Sequence, residues 1–122
     1  MNCSEPTVTL HERRVRAGSK DIWVAECGEG EPVLLLHGGG PGASGVPNYQ
    51  RNIDALSRHF RLIIPDLPGY GRSTKGLSRS DPFGECATAM LSLMDALDLQ
   101  RASVIGNSLG LSLIHISEPT RH

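Results

Sequence analysis

Three short apolar runs constrain this chain most: Val33-Leu34-Leu35-Leu36, Leu62-Ile63-Ile64 and Ser103-Val104-Ile105. A strand with one face in water alternates apolar and polar side chains. A strand without alternation is buried on both faces, as in a parallel sheet sandwiched between helices. The segments between these runs have helical period. Asn48 to Phe60 places Ile53, Leu56 and Phe60 on one stripe. Later, Phe83, Ala87, Met90, Leu91, Met94 and Leu97 recur at three- and four-residue spacing, with Met90 and Met94 read as core packing. Asp81-Pro82 suits an N-cap followed by proline at the first helical position, so the predicted helix runs from there to about Leu99. Ahead of the first run, Thr7 to Arg16 and Asp21 to Glu26 read as two strands turning at Ala17-Gly18, an antiparallel hairpin, with a further turn at Gly28-Glu29-Gly30. The order hairpin, strand, helix, strand, helix, strand predicts an α/β fold with a mostly parallel sheet.

The balance of charge narrows the function classes. With 122 residues and a net charge of −1, its charges interspersed, the chain has no basic patch of the kind that nucleic acid or an anionic membrane selects. No basic segment followed by an apolar one opens the sequence, and the strongest apolar stretch, Val33 to Leu36, is far too short to span a bilayer. Cys3, Cys27 and Cys86 are odd in number and lack metal-ligand spacing, which reads as reduced thiols in a cytoplasmic protein.

Two glycine-rich segments carry the chemistry. Gly106-Asn107-Ser108-Leu109-Gly110 fits the sharp strand-to-helix turn on which a nucleophilic serine is exposed. Small residues two before and two after let the backbone pass close by. With 14 glycines in the chain, richer than the average of about 7%, the pattern alone arises by chance with odds of roughly one in ten. Its position after the last buried strand gives it weight. The other segment, His37-Gly38-Gly39-Gly40-Pro41-Gly42, follows the strand Val33 to Leu36 directly. Glycines there let backbone N–H groups approach the negative oxygen that develops during acyl transfer. A phosphate-cradling loop would carry Lys-Ser/Thr or open a helix on its glycines; Pro41 and the loop running to Pro47 supply neither.

These segments, with Asn48-Tyr49-x-Arg51-Asn52 and Pro65-Asp66-x-Pro68-Gly69-Tyr70-Gly71-x-Ser73, resemble the meta-cleavage product hydrolases over nearly all of Thr7 to Gly110. These are α/β-hydrolases that break a carbon–carbon bond in ring-opened aromatic or steroid catabolites. The resemblance implies Ser108 as nucleophile, backbone N–H groups of Gly39 and Leu109 as oxyanion donors, and Gly38, Gly40, Asn48 and Asn107 lining the dienoate end of the substrate. It implies ketonisation of a dienol followed by hydrolytic C–C cleavage, with no cofactor or metal. Serine at position 108 weighs against the haloalkane dehalogenase and epoxide hydrolase branches, which use a carboxylate. An ordinary ester or amide hydrolase, and a non-catalytic fragment, remain the alternatives. The expected partner is a small-molecule substrate, not nucleic acid or membrane, with the oligomeric state of the parent (a homo-oligomer included) left open.

Other polar residues read as structural. The triad acid of this fold follows the serine in chain order, so Asp66 is expected to brace a loop. His37 is expected to shape the glycine loop, His59 to lie solvated on the helix before Phe60, and His11 to sit on an exposed strand face. Arg51 and Arg58 are expected at the surface, Arg51 with a possible bracing role. After Gly110 come twelve residues containing His115, Glu118 and His122. Glu118-Pro119 would interrupt the helix that the elbow must feed, so these are not read as a compressed triad. The triad acid and histidine are therefore expected to be absent from this chain. Leu111 to Arg121 resembles the translation of a transposase sequencing adapter. The expected division is residues 1–110 as the N-terminal half of an α/β-hydrolase core, truncated after the nucleophile elbow, and 111–122 as a non-native tail.

Overall fold

The computed structural model describes residues 9–38, 43–73, 75 and 81–106, without the side chains of 82 and 83. The chain forms β1 (His11–Ala17), β2 (Lys20–Cys27), β3 (Glu31–Leu36), α1 (Gly45–Ser57), β4 (Phe60–Pro65), α2 (Pro82–Ala96) and β5 (Ser103–Gly106). One five-stranded sheet results, in the order β1-β2-β4-β3-β5. β1 and β2 are an antiparallel hairpin whose register pairs Ala17 with Lys20. Its two-residue turn has Gly18 at φ +63°, a conformation glycine adopts without a Cβ penalty. β2 pairs antiparallel with β4, whereas β3 is parallel to both β4 and β5.

The absence of alternation in the runs of β3 and β4 is explained by two separate cores. Leu34, Leu36 and Ile63 join Ile22, Val24, Ala87, Met90 and Leu93 in one, on the side of α2. Val33, Leu35, Leu62 and Ile64 join Tyr49 and Ile53 in the other, on the side of α1. Successive residues of β3 and β4 thus serve opposite faces, and each face finds a helix. β5, expected to be buried on both faces, is not: it ends the strand order of the described sheet, its exposure alternates and Ile105 is 42% exposed.

α1 differs most from its sequence reading. It begins at Gly45, three residues before Asn48, and ends at Ser57, so Phe60 opens β4 and pairs with Glu31. Pro47 lies inside the first turn, where its missing N–H has no intrahelical partner to lose. His59 falls in the turn after the helix and is exposed, as is His11 on β1. α2 starts as expected: Asp81 is the N-cap, its carboxylate accepting the Gly84 N–H at 3.1 Å, and Pro82 follows. It stops at Ala96 through a Schellman turn. Asp98 sits at φ +58°, its N–H donating to the Asp95 carbonyl at 3.0 Å, and the Leu99 N–H reaches the Met94 carbonyl at 2.8 Å.

Candidate active site

From β3 the chain passes through α1 to β4 on one side, then through α2 to β5 on the other. Strand order therefore reverses at β3. In open α/β sheets, ligands bind outside the carboxyl ends of the strands at such a reversal. Leu36, the last residue of β3, lies opposite Gly106, the last residue of β5. The glycine loop and the Gly106–Gly110 segment leave the sheet from neighbouring, parallel strand ends. Gly39, Gly40, Asn107, Ser108 and Leu109 lie outside the described residues, as do His115, Glu118 and His122. Gly38 and Asn48 are described, and they are in contact: the Gly38 N–H donates to the Asn48 Oδ1 at 3.1 Å. Asn48, expected to line the substrate's dienoate end, here holds the start of the glycine loop against α1.

His37 directs the chain out of β3. It is fully buried, and its Nε2 accepts the Leu67 N–H at 2.9 Å. That bond leaves the proton on Nδ1, which lies 2.6 Å from the Gly38 carbonyl oxygen. The ring meets Tyr70 edge-on, 5.1 Å between centroids. Burial pushes the imidazole pKa below its usual 6.5, against the opposing pull of the Gly38 carbonyl and the Asp66 charge. A neutral ring with both nitrogens engaged shapes the loop, as its position in the sequence suggests.

Asp66 braces three segments. Its Oδ1 accepts the Gly45 N–H at 2.7 Å and its Oδ2 the Arg72 N–H at 3.1 Å. α1 has neither an acidic residue in its first turn nor a side-chain cap from Ser44, so this carboxylate supplies the negative charge its N-terminus favours. The approach is close: a Cβ at Gly45 would lie 2.6 Å from the Pro65 carbonyl oxygen. Ser73 completes the brace. Its hydroxyl donates to the Asp66 carbonyl at 2.5 Å and accepts the Trp23 N–H at 2.9 Å, while the Asp66 N–H donates to the Trp23 carbonyl at 2.8 Å. The Pro65–Ser73 motif is thus a turn locked onto β2. Arg51 is exposed; Arg58 pairs at the surface with Asp54 at 3.3 Å.

Tyr49, adjacent to Asn48, belongs to the Asn48-Tyr49-x-Arg51-Asn52 motif, but the sequence assigns it no role. Its buried hydroxyl lies 2.6 Å from the Leu36 carbonyl oxygen and 3.2 Å from that of Ile105. Burial raises its pKa above the usual 10, so it remains a donor at neutral pH. Among the described residues no group of three or more His, Cys, Asp or Glu could hold a metal ion, and no helix is long and apolar enough to cross a membrane.

Residues 31–111 match the family described as the alpha/beta hydrolase fold. The chain belongs to the α/β-hydrolase family. It is 38% identical over 104 residues to the 2-hydroxy-6-oxo-6-phenylhexa-2,4-dienoate hydrolase of Burkholderia cepacia, an alignment that covers 84% of this chain and 36% of that relative. Among solved structures it is similar to the hydrolase of that name from Rhodococcus sp. strain RHA1, with a TM-score of 0.82 at 29% identity, covering 94% of this chain and 44% of the other. An epoxide hydrolase of Vigna radiata also superposes with a TM-score of 0.82, at 28% identity over 92% of this chain and 36% of that one. Backbone likeness therefore identifies the α/β-hydrolase core without choosing its chemistry. The chain spans about a third of the length of the curated relatives it matches.

Proposed function

We propose that the protein carrying this chain is a serine hydrolase that cleaves a C–C bond in 2-hydroxy-6-oxo-dienoates, the meta-cleavage products of aromatic or steroid catabolism. The observation that carries this reading is the parallel pairing of β3 with β5, Leu36 opposite Gly106. It sends the glycine loop and the Ser108 segment out of adjacent strand ends at the reversal of strand order. In this reading the dienol first ketonises, its 2-hydroxyl becoming a ketone and its proton passing to C5. The Ser108 hydroxyl then attacks the 6-oxo carbon, the C5–C6 bond breaks to release the dienoate, and water frees the acyl group from Ser108 as a carboxylic acid. The oxygen that becomes negative is stabilised by the N–H groups of Gly39 and Leu109. Gly38, Gly40, Asn48 and Asn107 line the dienoate end. Named relatives act on dienoates, and residue 108 is serine where the epoxide hydrolase chemistry calls for a carboxylate. No metal or cofactor is invoked, the substrate is a small molecule, and the location is cytoplasmic.

The test is a comparison of substrates with the full-length protein. A yellow dienol of this class is turned over with release of a dienoic acid, at a kcat/KM well above that for a simple aryl ester. Turnover of the ester alone would transfer the assignment to an esterase. For the 122-residue polypeptide, a fluorophosphonate probe is expected to leave Ser108 unlabelled, because serine without a general base is a poor nucleophile at neutral pH. Strong labelling would show a competent base within this chain.

A further inference from the structure

We infer that Tyr49 is a positioning residue that sets the spacing of the two halves of the oxyanion site. This rests on the reading of Gly39 and the Ser108–Leu109 segment given above. β3 and β5 are held by their ladder as far as Leu36 and Gly106. Beyond that pair each strand enters a glycine-rich segment. At this point the Tyr49 hydroxyl faces the Leu36 carbonyl at 2.6 Å and the Ile105 carbonyl at 3.2 Å. It has one proton, so the shorter bond dominates and the longer shares it. Tyr49 is buried, and its shorter bond, to Leu36, is buried with it. Leu36 precedes Gly39 by three residues, and Ile105 precedes Ser108 by three. One hydroxyl therefore ties together the two chain segments whose N–H groups must converge on a single oxygen.

The support for this tie is independent of the sheet ladder. Tyr49 lies on α1, whose first N–H is fixed by Asp66 and whose Asn48 holds the Gly38 N–H. The helix thus grips the loop through Asn48 and both strand ends through Tyr49. Removing the hydroxyl alone leaves the ring in its apolar core with Val33, Leu35 and Ile53. It also removes the donor that the Leu36 and Ile105 carbonyl oxygens share. Their relaxation moves the strand ends by a fraction of an ångström, enough to weaken hydrogen bonds made in the transition state.

Tyr49→Phe in the full-length protein tests this. The expected result is a fall in kcat of about tenfold with KM unchanged, because the donors act on the oxyanion and not on bound substrate. The rate of fluorophosphonate labelling falls in parallel. Unchanged kcat overturns the inference, and so does a loss of urea resistance with normal kinetics, which marks a structural role only. Equal changes in kcat and KM also overturn it. If Tyr49→Phe does not fold, fluorotyrosine at position 49 keeps ring and hydroxyl but ionises at lower pH. The alkaline limb of kcat must then move down with the phenol, and an unmoved profile overturns the inference. Kinetics are followed with both an aryl ester and a dienol. An enzyme that hydrolyses the ester and ignores the dienol refutes the C–C reading, while the Tyr49 effect is still read on the ester.

Discussion

Replacing Asp66 by asparagine removes one oxygen acceptor and the negative charge while preserving shape. The carboxylate accepts two backbone N–H groups, from Gly45 at 2.7 Å and Arg72 at 3.1 Å. An asparagine carbonyl can keep one of them; its NH2 then faces the other, donor against donor. A hydrogen bond to a charged group contributes about 1.5–3 kcal/mol, and a charge at a helix N-terminus about 0.3–1 kcal/mol. The loss expected for Asp66→Asn is therefore about 2–3 kcal/mol, since relaxation recovers part of the sum. With a urea m-value of about 1.5 kcal/mol/M for a domain of this size, the midpoint falls by about 1.3–2 M at constant m. Trp23 is the sole tryptophan and bonds to both Asp66 and Ser73 through its backbone, so its fluorescence reports unfolding at the brace itself. A midpoint within about 0.3 M of the parent would refute the argument that this carboxylate fastens α1 to the Pro65–Ser73 turn.

Three further outcomes follow from the same geometry. His37 is bound neutral with a lowered pKa, so the unfolded chain takes up its proton first as pH falls. Stability from this residue is present above about pH 6.5 and lost as pH drops from there through the lower folded pKa; urea midpoints at pH 7.5 and 5.5 should diverge, and His37→Gln should narrow the gap. Burial raises the thiol pKa of Cys27, and burial together with the charge of Glu85 pushes Cys86 up to about 11, so peptide mapping after iodoacetamide at pH 8 should find both unmodified until denaturant is added. Asp98 holds the left-handed position of the α2 Schellman turn, so Asp98→Gly should stabilise by about 0.5–1 kcal/mol in the same urea assay, and any destabilisation would count against that strain.

Much of this core is legible in the residues themselves. The runs at Val33, Leu62 and Ser103 mark strands, and β3 and β4 are buried on both faces because each face carries its own helix. Asp81-Pro82 marks the α2 start because capping is local chemistry. The start of α1 is not legible, because its N-terminus is completed by Asp66, 21 positions away from Gly45 in the chain. Pro47 looks like a loop residue until the helix is seen to begin two residues earlier. The α2 end depends on Asp98 adopting a conformation usually left to glycine or asparagine. For the site, the glycine-rich motif after β3 and the Gly-x-Ser-x-Gly motif after β5 stand out by spacing, and most of their residues lie outside the described ones. The role of Tyr49 does not stand out: its hydroxyl acts across 56 residues, on a carbonyl that no sequence pattern marks.

The central proposal is that Ser108, two residues beyond the end of β5 in the sequence, is the nucleophile of a C–C hydrolase. Turnover of a dienol substrate by the full-length protein and by its Ser108→Ala variant tests it most directly. The account predicts ready cleavage by the parent and a loss of about 10³-fold or more in kcat for the variant, with the variant still folded. Cleavage that survives Ser108→Ala, or a parent that leaves the dienol intact, would contradict it.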